Sequence, residues 1–171
     1  HVAVHGIGKV GMALCEQLHA MGARLSVADL QPHALEQAAT KFGATIVSTH
    51  QIQSIACDVY APCALSFSLN EQTLQTLQAP IVAGSANNQL AHDQIGVQLW
   101  QKGVLYAPDY AINAGGLIHV AHQYYHLSEM EAKSKVDNLY QVLLNIFKHS
   151  EINEQPTHWV ANQIAESKLN A

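Results

Sequence analysis

Apolar positions along the chain fall into short runs that alternate with longer stretches where hydrophobic side chains recur every three to four residues. Val2–His5 is a brief apolar run ending in glycines, and Val10, Leu14, Leu18 and Met21 follow at spacings near four. This predicts a strand, a tight turn and a helix. Gly22 stops the helix as a C-terminal cap does, and residues 23–28 supply a second strand closing on Asp29. Pro32 suits the first turn of a helix that runs through Leu35, Ala38, Ala39 and Phe42 to Gly43, with residues 44–47 as a third strand.

The rhythm continues with a strand at 58–61, a short helix at 71–77, a strand at 80–83, a helix at 91–102 ending at Gly103, and a sixth strand at 104–107. Six strands alternating with helices predict an α/β fold of Rossmann type, a doubly wound and mostly parallel six-stranded sheet. After Gly116 the strand pattern stops. Residues 117–125, 130–149 and 157–169 read as helices, the last two separated by a polar loop containing Pro156. We therefore expect one dinucleotide-binding domain over 1–171, with the Rossmann core in about 1–116 and C-terminal helices in 117–171.

Composition narrows the partners. Eight Lys and Arg against thirteen Asp and Glu leave a formal charge of −5, with no basic field to gather a nucleic acid backbone or an anionic membrane. No apolar run approaches the roughly 20 residues of a membrane span, and no leader pattern is visible, so the expected location is cytoplasmic. The three cysteines Cys15, Cys57 and Cys63 are odd in number and lack CxxC spacing, which argues for free thiols over a disulfide framework or a thiolate zinc site. The sequence opens on His1-Val2-Ala3-Val4 without an initiator Met, and we expect it to be part of a longer protein.

The chemistry concentrates in the first turn. Gly6-Ile7-Gly8-Lys9-Val10-Gly11 is a GxGxxG between a strand and a helix. Gly6 permits the tight turn, Gly8 leaves room for a pyrophosphate, and Gly11 allows helix and strand to pack closely, while the helix N-terminus offers unpaired N–H groups to phosphate. Asp29 lies about 20 residues further on, where a carboxylate accepts hydrogen bonds from a ribose diol and repels a 2′-phosphate. The residues after it, Leu30, Gln31, Pro32 and His33, include no Arg, so NAD is favoured over NADP. Three more clusters follow strands, on the edge where such sheets bind ligands: Tyr60-Ala61-Pro62-Cys63-Ala64-Leu65, Gly84-Ser85-Ala86-Asn87-Asn88-Gln89, and Ile112-Asn113-Ala114-Gly115-Gly116. An Asn amide matches a carboxamide or a ribose hydroxyl, although Asn and Gly serve equally well as plain turn residues.

Taken together, Gly6 to Gly11, Asp29, the APCAL and GSANNQL segments, and Ala107-Pro108-Asp109-Tyr110 followed by INAGG resemble the nucleotide-binding domain of the amino acid dehydrogenases. The resemblance is closest to the leucine branch, with the phenylalanine and valine branches near and the glutamate branch more distant. It implies reversible oxidative deamination of an L-amino acid, with NAD as cofactor, to a 2-oxo acid, ammonia and NADH. It also implies a cytoplasmic homo-oligomer. The implied cofactor contacts are Gly6, Ile7, Gly8, Lys9, Val10, Gly11, Asp29, Leu30, the backbone of Ala61, Pro62, Cys63 and Ala64, and the side chains of Asn87 and Asn113. Asn113 also belongs to the implied substrate site with Leu117 and Val120, which stand three apart on one helix. In the glutamate branch the position matching Val120 carries a hydroxyl that helps bind the side-chain carboxylate; here it is an isopropyl group.

The family's catalytic Lys and Asp lie in a preceding domain, and no residue here matches them, so no catalytic residue is assigned to this chain. His119, His122 and His126 fall near one face of a helix, but no Cys or paired carboxylate completes a metal shell, and no metal is expected. Cys63 has no recognisable base beside it and reads as a small loop or buried Cys. A stand-alone NAD-binding or sensing module, without catalysis, is the competing reading.

Overall fold

The computed structural model describes residues 1–64, 66–126 and 128–170. The strands are β1 (Val2–His5), β2 (Leu25–Ala28), β3 (Thr45–Ile46), β4 (Val59–Pro62), β5 (Ile81–Val82) and β6 (Leu105–Tyr106). The α-helices are α1 (Lys9–Ala20), α2 (Pro32–Phe42), α3 (Glu71–Thr76), α4 (Asp93–Gln101), α5 (Asp109–Ile112), α6 (Gly115–Tyr125), α7 (Glu129–Asp137), α8 (Leu139–Asn153) and α9 (Thr157–Leu169), with a 3-10 turn at Ile52–Ser54. The six strands form one sheet in the order β3-β2-β1-β4-β5-β6, and every pairing is parallel. That is the doubly wound order with its switch point between β1 and β4, where neighbouring connections leave in opposite directions.

Both faces of the sheet are covered, so central strands bury every residue instead of alternating. β1 and β2 are buried at all four positions. Val4, Ile7, Cys15, Leu25, Val27 and Ala38 pack beneath α1 and α2 on one side. Ala3, Tyr60, Leu74, Val82, Ile95 and Leu99 pack beneath the 3-10 turn, α3 and α4 on the other. Each fully buried aliphatic side chain contributes roughly 1.5–3 kcal/mol relative to exposure. A third, smaller cluster of Ile146, Val160 and Ala161 joins α8 to α9. Among the described residues no helix is long and apolar enough to cross a membrane.

Helix ends follow the local chemistry. Pro32 starts α2, and Gly43 closes it in the left-handed region at φ 61°. Ser128 and Glu131 form a reciprocal capping box at the start of α7. The helix expected over 130–149 is two helices. The chain bends at Asn138, whose N–H donates to Ser134 O at 3.0 Å while its own carbonyl accepts from Val142 at 3.1 Å. Helical bonding continues on both sides, so the break is a kink, placed where Asp137 and Asn138 have weak helix propensity. The 3-10 turn and α5 are also beyond what hydrophobic spacing predicts, because each is a single turn.

Candidate functional site

The loops that leave the C-terminal ends of the strands meet along one edge, and the expected residues collect there in two groups. The first surrounds the glycine turn. Gly6 has φ 95°, a conformation that suits glycine, and an added Cβ would run into Ala64. An added Cβ on Gly11 would meet the Gly6 carbonyl. Helix α1 and the end of β4 therefore close directly onto the turn, and Cys63 N–H donates to His5 O at 2.7 Å. Ala61 and Pro62 are buried in β4, whereas Cys63 is partly exposed and Ala64 is exposed. Leu65, the last residue of that segment, lies outside the described residues.

Around Gly8 there is nothing within 4 Å of an added Cβ. Gly8 is the N-cap of α1, with no side-chain cap and no acidic residue in the first turn. The orphan N–H groups and the positive end of the helix thus face open space, flanked by exposed Lys9 and Val10. Asp29 ends the neighbouring strand and accepts from Ile7 N–H at 2.7 Å through one oxygen and from Gln31 N–H at 2.9 Å through the other. Its carboxylate braces the turn, and each oxygen keeps a further acceptor site. Leu30 beside it is 79% exposed.

The second group lines a cleft of about 950 Å³ that begins at Val10 and extends past Asn87 and Asn113 to Leu117 and Val120. Asn113 Nδ2 donates to Asn87 Oδ1 at 2.7 Å. The pair leaves the Asn113 carbonyl as an acceptor and the Asn87 NH2 as a donor. Asp29 and Leu30 do not line this cleft. They stand at the opposite end of the edge, with the glycine turn between.

Two supporting residues carry roles that sequence reasoning missed. Gln89 is fully buried, and its Nε2 donates to Gly84 O at 2.8 Å and Ala86 O at 2.9 Å, folding the GSANN loop around itself. Asp109, also buried, accepts from Gln89 N–H at 2.8 Å and Tyr110 N–H at 2.7 Å, tying that loop to α5. An acid directly after a strand-ending Pro was the available signal. Val136 and Leu139, either side of the Asn138 kink, add apolar wall to the cleft. Burial pushes the Tyr110 hydroxyl up to about 12. It therefore stays protonated and donates to Asn162 Oδ1 at 2.6 Å, which anchors α9 behind the cleft.

Elsewhere, the His119 and His122 rings lie 6.3 Å apart on α6. Among the described residues no three His, Cys, Asp or Glu side chains group as a metal ion would need. The Cys15 thiol is buried, which pushes its pKa up to about 11 and keeps it unreactive.

With this geometry in place, comparison with known proteins is informative. The family profile described as Glutamate/Leucine/Phenylalanine/Valine dehydrogenase matches residues 29–168. A leucine dehydrogenase of Bacillus cereus is 40% identical over 168 residues, covering 98% of this chain and 46% of the relative. An L-tryptophan dehydrogenase of Nostoc punctiforme is 44% identical over 170 residues, covering 99% of this chain and 48% of the relative. The crystal structure of the Nostoc enzyme superposes with a TM-score of 0.96, covering 99% of this chain and 51% of that one. A hetero-hexameric glutamate dehydrogenase from Thermus thermophilus, at 21% identity and TM-score 0.74, shares the fold. The chain thus spans about half the length of the relatives it matches. By profile, identity and fold together, it belongs to the Glutamate/Leucine/Phenylalanine/Valine dehydrogenase family.

Proposed function

We propose that this chain is the nucleotide-binding half of an NAD-dependent L-amino acid dehydrogenase that takes an apolar substrate, leucine first among them, through reversible oxidative deamination. The observation that carries this reading is the continuity of the edge: the Asp29 carboxylate, open space at Gly8, the amide pair and an apolar wall succeed one another across the strand ends. The residues fit the cofactor. Open space at Gly8 admits a pyrophosphate against the uncapped start of α1, and the unused acceptor sites of Asp29 suit the two ribose hydroxyls.

When bound, the nicotinamide ring supplies the hydride acceptor for the substrate Cα–H. The chain's own contribution is orientation. The free donor of Asn87 and free acceptor of Asn113 present complementary groups to a carboxamide or to the substrate beside it. Because these two amides hold each other, each group is preset before binding, which lowers the entropic cost of alignment. Leu117 and Val120 offer an apolar surface that excludes water from the side-chain end.

Among the described residues no lysine lines the cleft. Acid–base chemistry on this reading comes from sequence outside this chain, in a cytoplasmic homo-oligomer of the full-length enzyme. The same observation favours the second reading, a nucleotide-binding module without catalysis. Titrating the 171-residue chain with NADH, and assaying both it and the full-length protein with leucine and NAD, separates them. We expect the chain to bind NADH without turnover and the full-length protein to turn over. Full-length protein that binds NADH but oxidises no amino acid would establish the module, and steady turnover by the chain alone would refute the division of labour.

A further inference from the structure

The amide pair sits on two irregular segments. Asn87 belongs to the loop between β5 and α4, and Asn113 to the turn between α5 and α6. Helix α5 is a single turn of four residues, far below the roughly 12 at which a helix begins to be stable alone. Yet the two side chains meet at 2.7 Å. Groups outside both segments must set that spacing.

Asp109 is the first tie. One carboxylate oxygen accepts from Gln89 N–H at 2.8 Å, in the loop that carries Asn87, and its backbone carbonyl accepts from Asn113 N–H at 2.9 Å. A single buried residue thus touches the segments of both amides. The second tie runs outward from α5. The Tyr110 hydroxyl donates to Asn162 Oδ1 at 2.6 Å and stands 3.1 Å from the His158 carbonyl, both on α9. Ala111 packs against Ile146, Val160 and Ala161, where α8 meets α9. Three successive residues of α5 therefore fasten it to the loop, to α9 and to the α8–α9 core.

Helix α9 is itself held at its start. Thr157 Oγ1 donates to Tyr106 O at 2.7 Å, and Trp159 Nε1 donates to Asp93 Oδ2 at 3.0 Å. Asn162 lies one turn further on, is exposed, and does not line the cleft. It reaches the amide pair only through Tyr110 and Asp109. Each step of that path is a hydrogen bond or a peptide link, so a displacement of α9 carries α5 and Asn113 with it.

We propose that α9 is a latch for the amide pair: Asn162 is a positioning residue that acts through Tyr110 and Asp109 to hold Asn113 and Asn87 at their working separation. Coupling of this kind is reciprocal. A ligand seated on the pair strengthens the docking of α9, and loosening α9 weakens that ligand. The inference rests on the nucleotide-binding reading above and extends the regulation of that site to a helix outside the strand edge.

The test uses the full-length protein with NADH and with ADP-ribose, which keeps the adenosine and pyrophosphate and lacks the nicotinamide. On that reading both ligands engage the glycine turn and Asp29, and NADH alone engages the amide pair. Amide hydrogen exchange over residues 157–169 is expected to slow with NADH and to stay unchanged with ADP-ribose at equal saturation. Asn162→Leu, at an exposed position, is expected to weaken NADH by about two- to tenfold, the range of one hydrogen bond. It leaves ADP-ribose affinity unchanged and abolishes the slowing by NADH. Asn162→Asp, which keeps an acceptor oxygen for Tyr110, retains the wild-type affinity. Tyr110→Phe weakens NADH in the same way, and the double variant with Asn162→Leu is less than additive because both changes break one link. A lowered Tm in Asn162→Leu with an unchanged NADH to ADP-ribose affinity ratio makes the contact purely structural and overturns the latch, as does equal slowing of exchange by the two ligands. Wild type that binds both ligands without any effect on α9 overturns the latch and leaves the nucleotide reading standing. Wild type that binds neither removes the reading and the latch together.

Discussion

Asp29 has one duty that the structure shows and a second that the proposed function gives it. Its carboxylate holds the glycine turn through Ile7 N–H and the start of the next helix through Gln31 N–H, and its remaining acceptor sites are those a ribose diol needs. The exchange Asp29→Ser with Leu30→Arg is therefore expected to do two things. It replaces diol recognition by a charge-assisted grip on a 2′-phosphate, moving the NADP to NAD affinity ratio upward by roughly ten- to a hundredfold. It also removes the brace on the turn, at a stability cost of about 1 kcal/mol or more. Affinity titrations with both dinucleotides, alongside thermal melts, check the pair of effects, and an unchanged ratio would mean that Asp29 does not face the adenosine ribose. Spacing from the glycines, a property of the chain itself, singles out Asp29 in the sequence, and the structure shows its carboxylate on the glycine turn. Gln89 and Asp109 were opaque as loop braces, since their partners are backbone groups brought close only by folding.

At the scale of elements, short apolar runs bounded by Gly and Pro located all six strands to within a residue or two, and sheet burial on both faces explains why those runs were nearly continuous. The kink at Asn138 was hidden because apolar spacing carries on through it. The docking of α9 was equally hidden, and it depends on His158 lying over Gly96 of α4, where an added Cβ would run into the imidazole. Gly96→Ala is expected to destabilise the protein by about 1–3 kcal/mol, roughly 2–10 °C in Tm at this size, with a change in Trp159 fluorescence. Wild-type stability in that mutant would mean that the helices separate freely. His158 Nε2 also lies 3.1 Å from Asp93 Oδ1, and Trp159 Nε1 donates to the other Asp93 oxygen at 3.0 Å. Burial lowers the His158 pKa from 6.5 despite that carboxylate. As pH falls, the unfolded chain takes up the proton first. The stabilising share of neutral His158 is complete above pH 6.5 and is lost as pH drops through the folded-state value. His5 works in the same direction. Melting curves from pH 7 to pH 5 should fall for wild type and fall less for His158→Gln, and parallel curves would detach His158 from the pH response.

At the scale of the whole molecule, fold and family followed from the order of motifs, whereas on the proposed function substrate choice turns on surfaces that the chain presents outward. Leu117 and Val120 are 73% and 59% exposed, so they are not core residues of this domain, and both face the large cleft with Val136 and Leu139. A carboxylate set against these four side chains would give up solvation without gaining a partner, a cost of several kcal/mol, whereas each buried methylene of an aliphatic substrate gains about 0.8 kcal/mol. Similarity alone leaves the choice among apolar amino acids open, since relatives named for leucine and for tryptophan match this chain at 40% and 44% identity. The wall itself rejects charge without setting a width. In the full-length protein, kcat/KM for leucine, phenylalanine and tryptophan is accordingly expected to exceed that for glutamate by at least roughly a hundredfold, the equivalent of about 2.8 kcal/mol. Val120→Ser, which restores a hydroxyl at the cleft wall, should narrow the gap by raising the glutamate value while lowering that for leucine. A wild-type preference for glutamate, or a Val120→Ser enzyme with unchanged selectivity, would place the substrate side chain somewhere other than this face of α6.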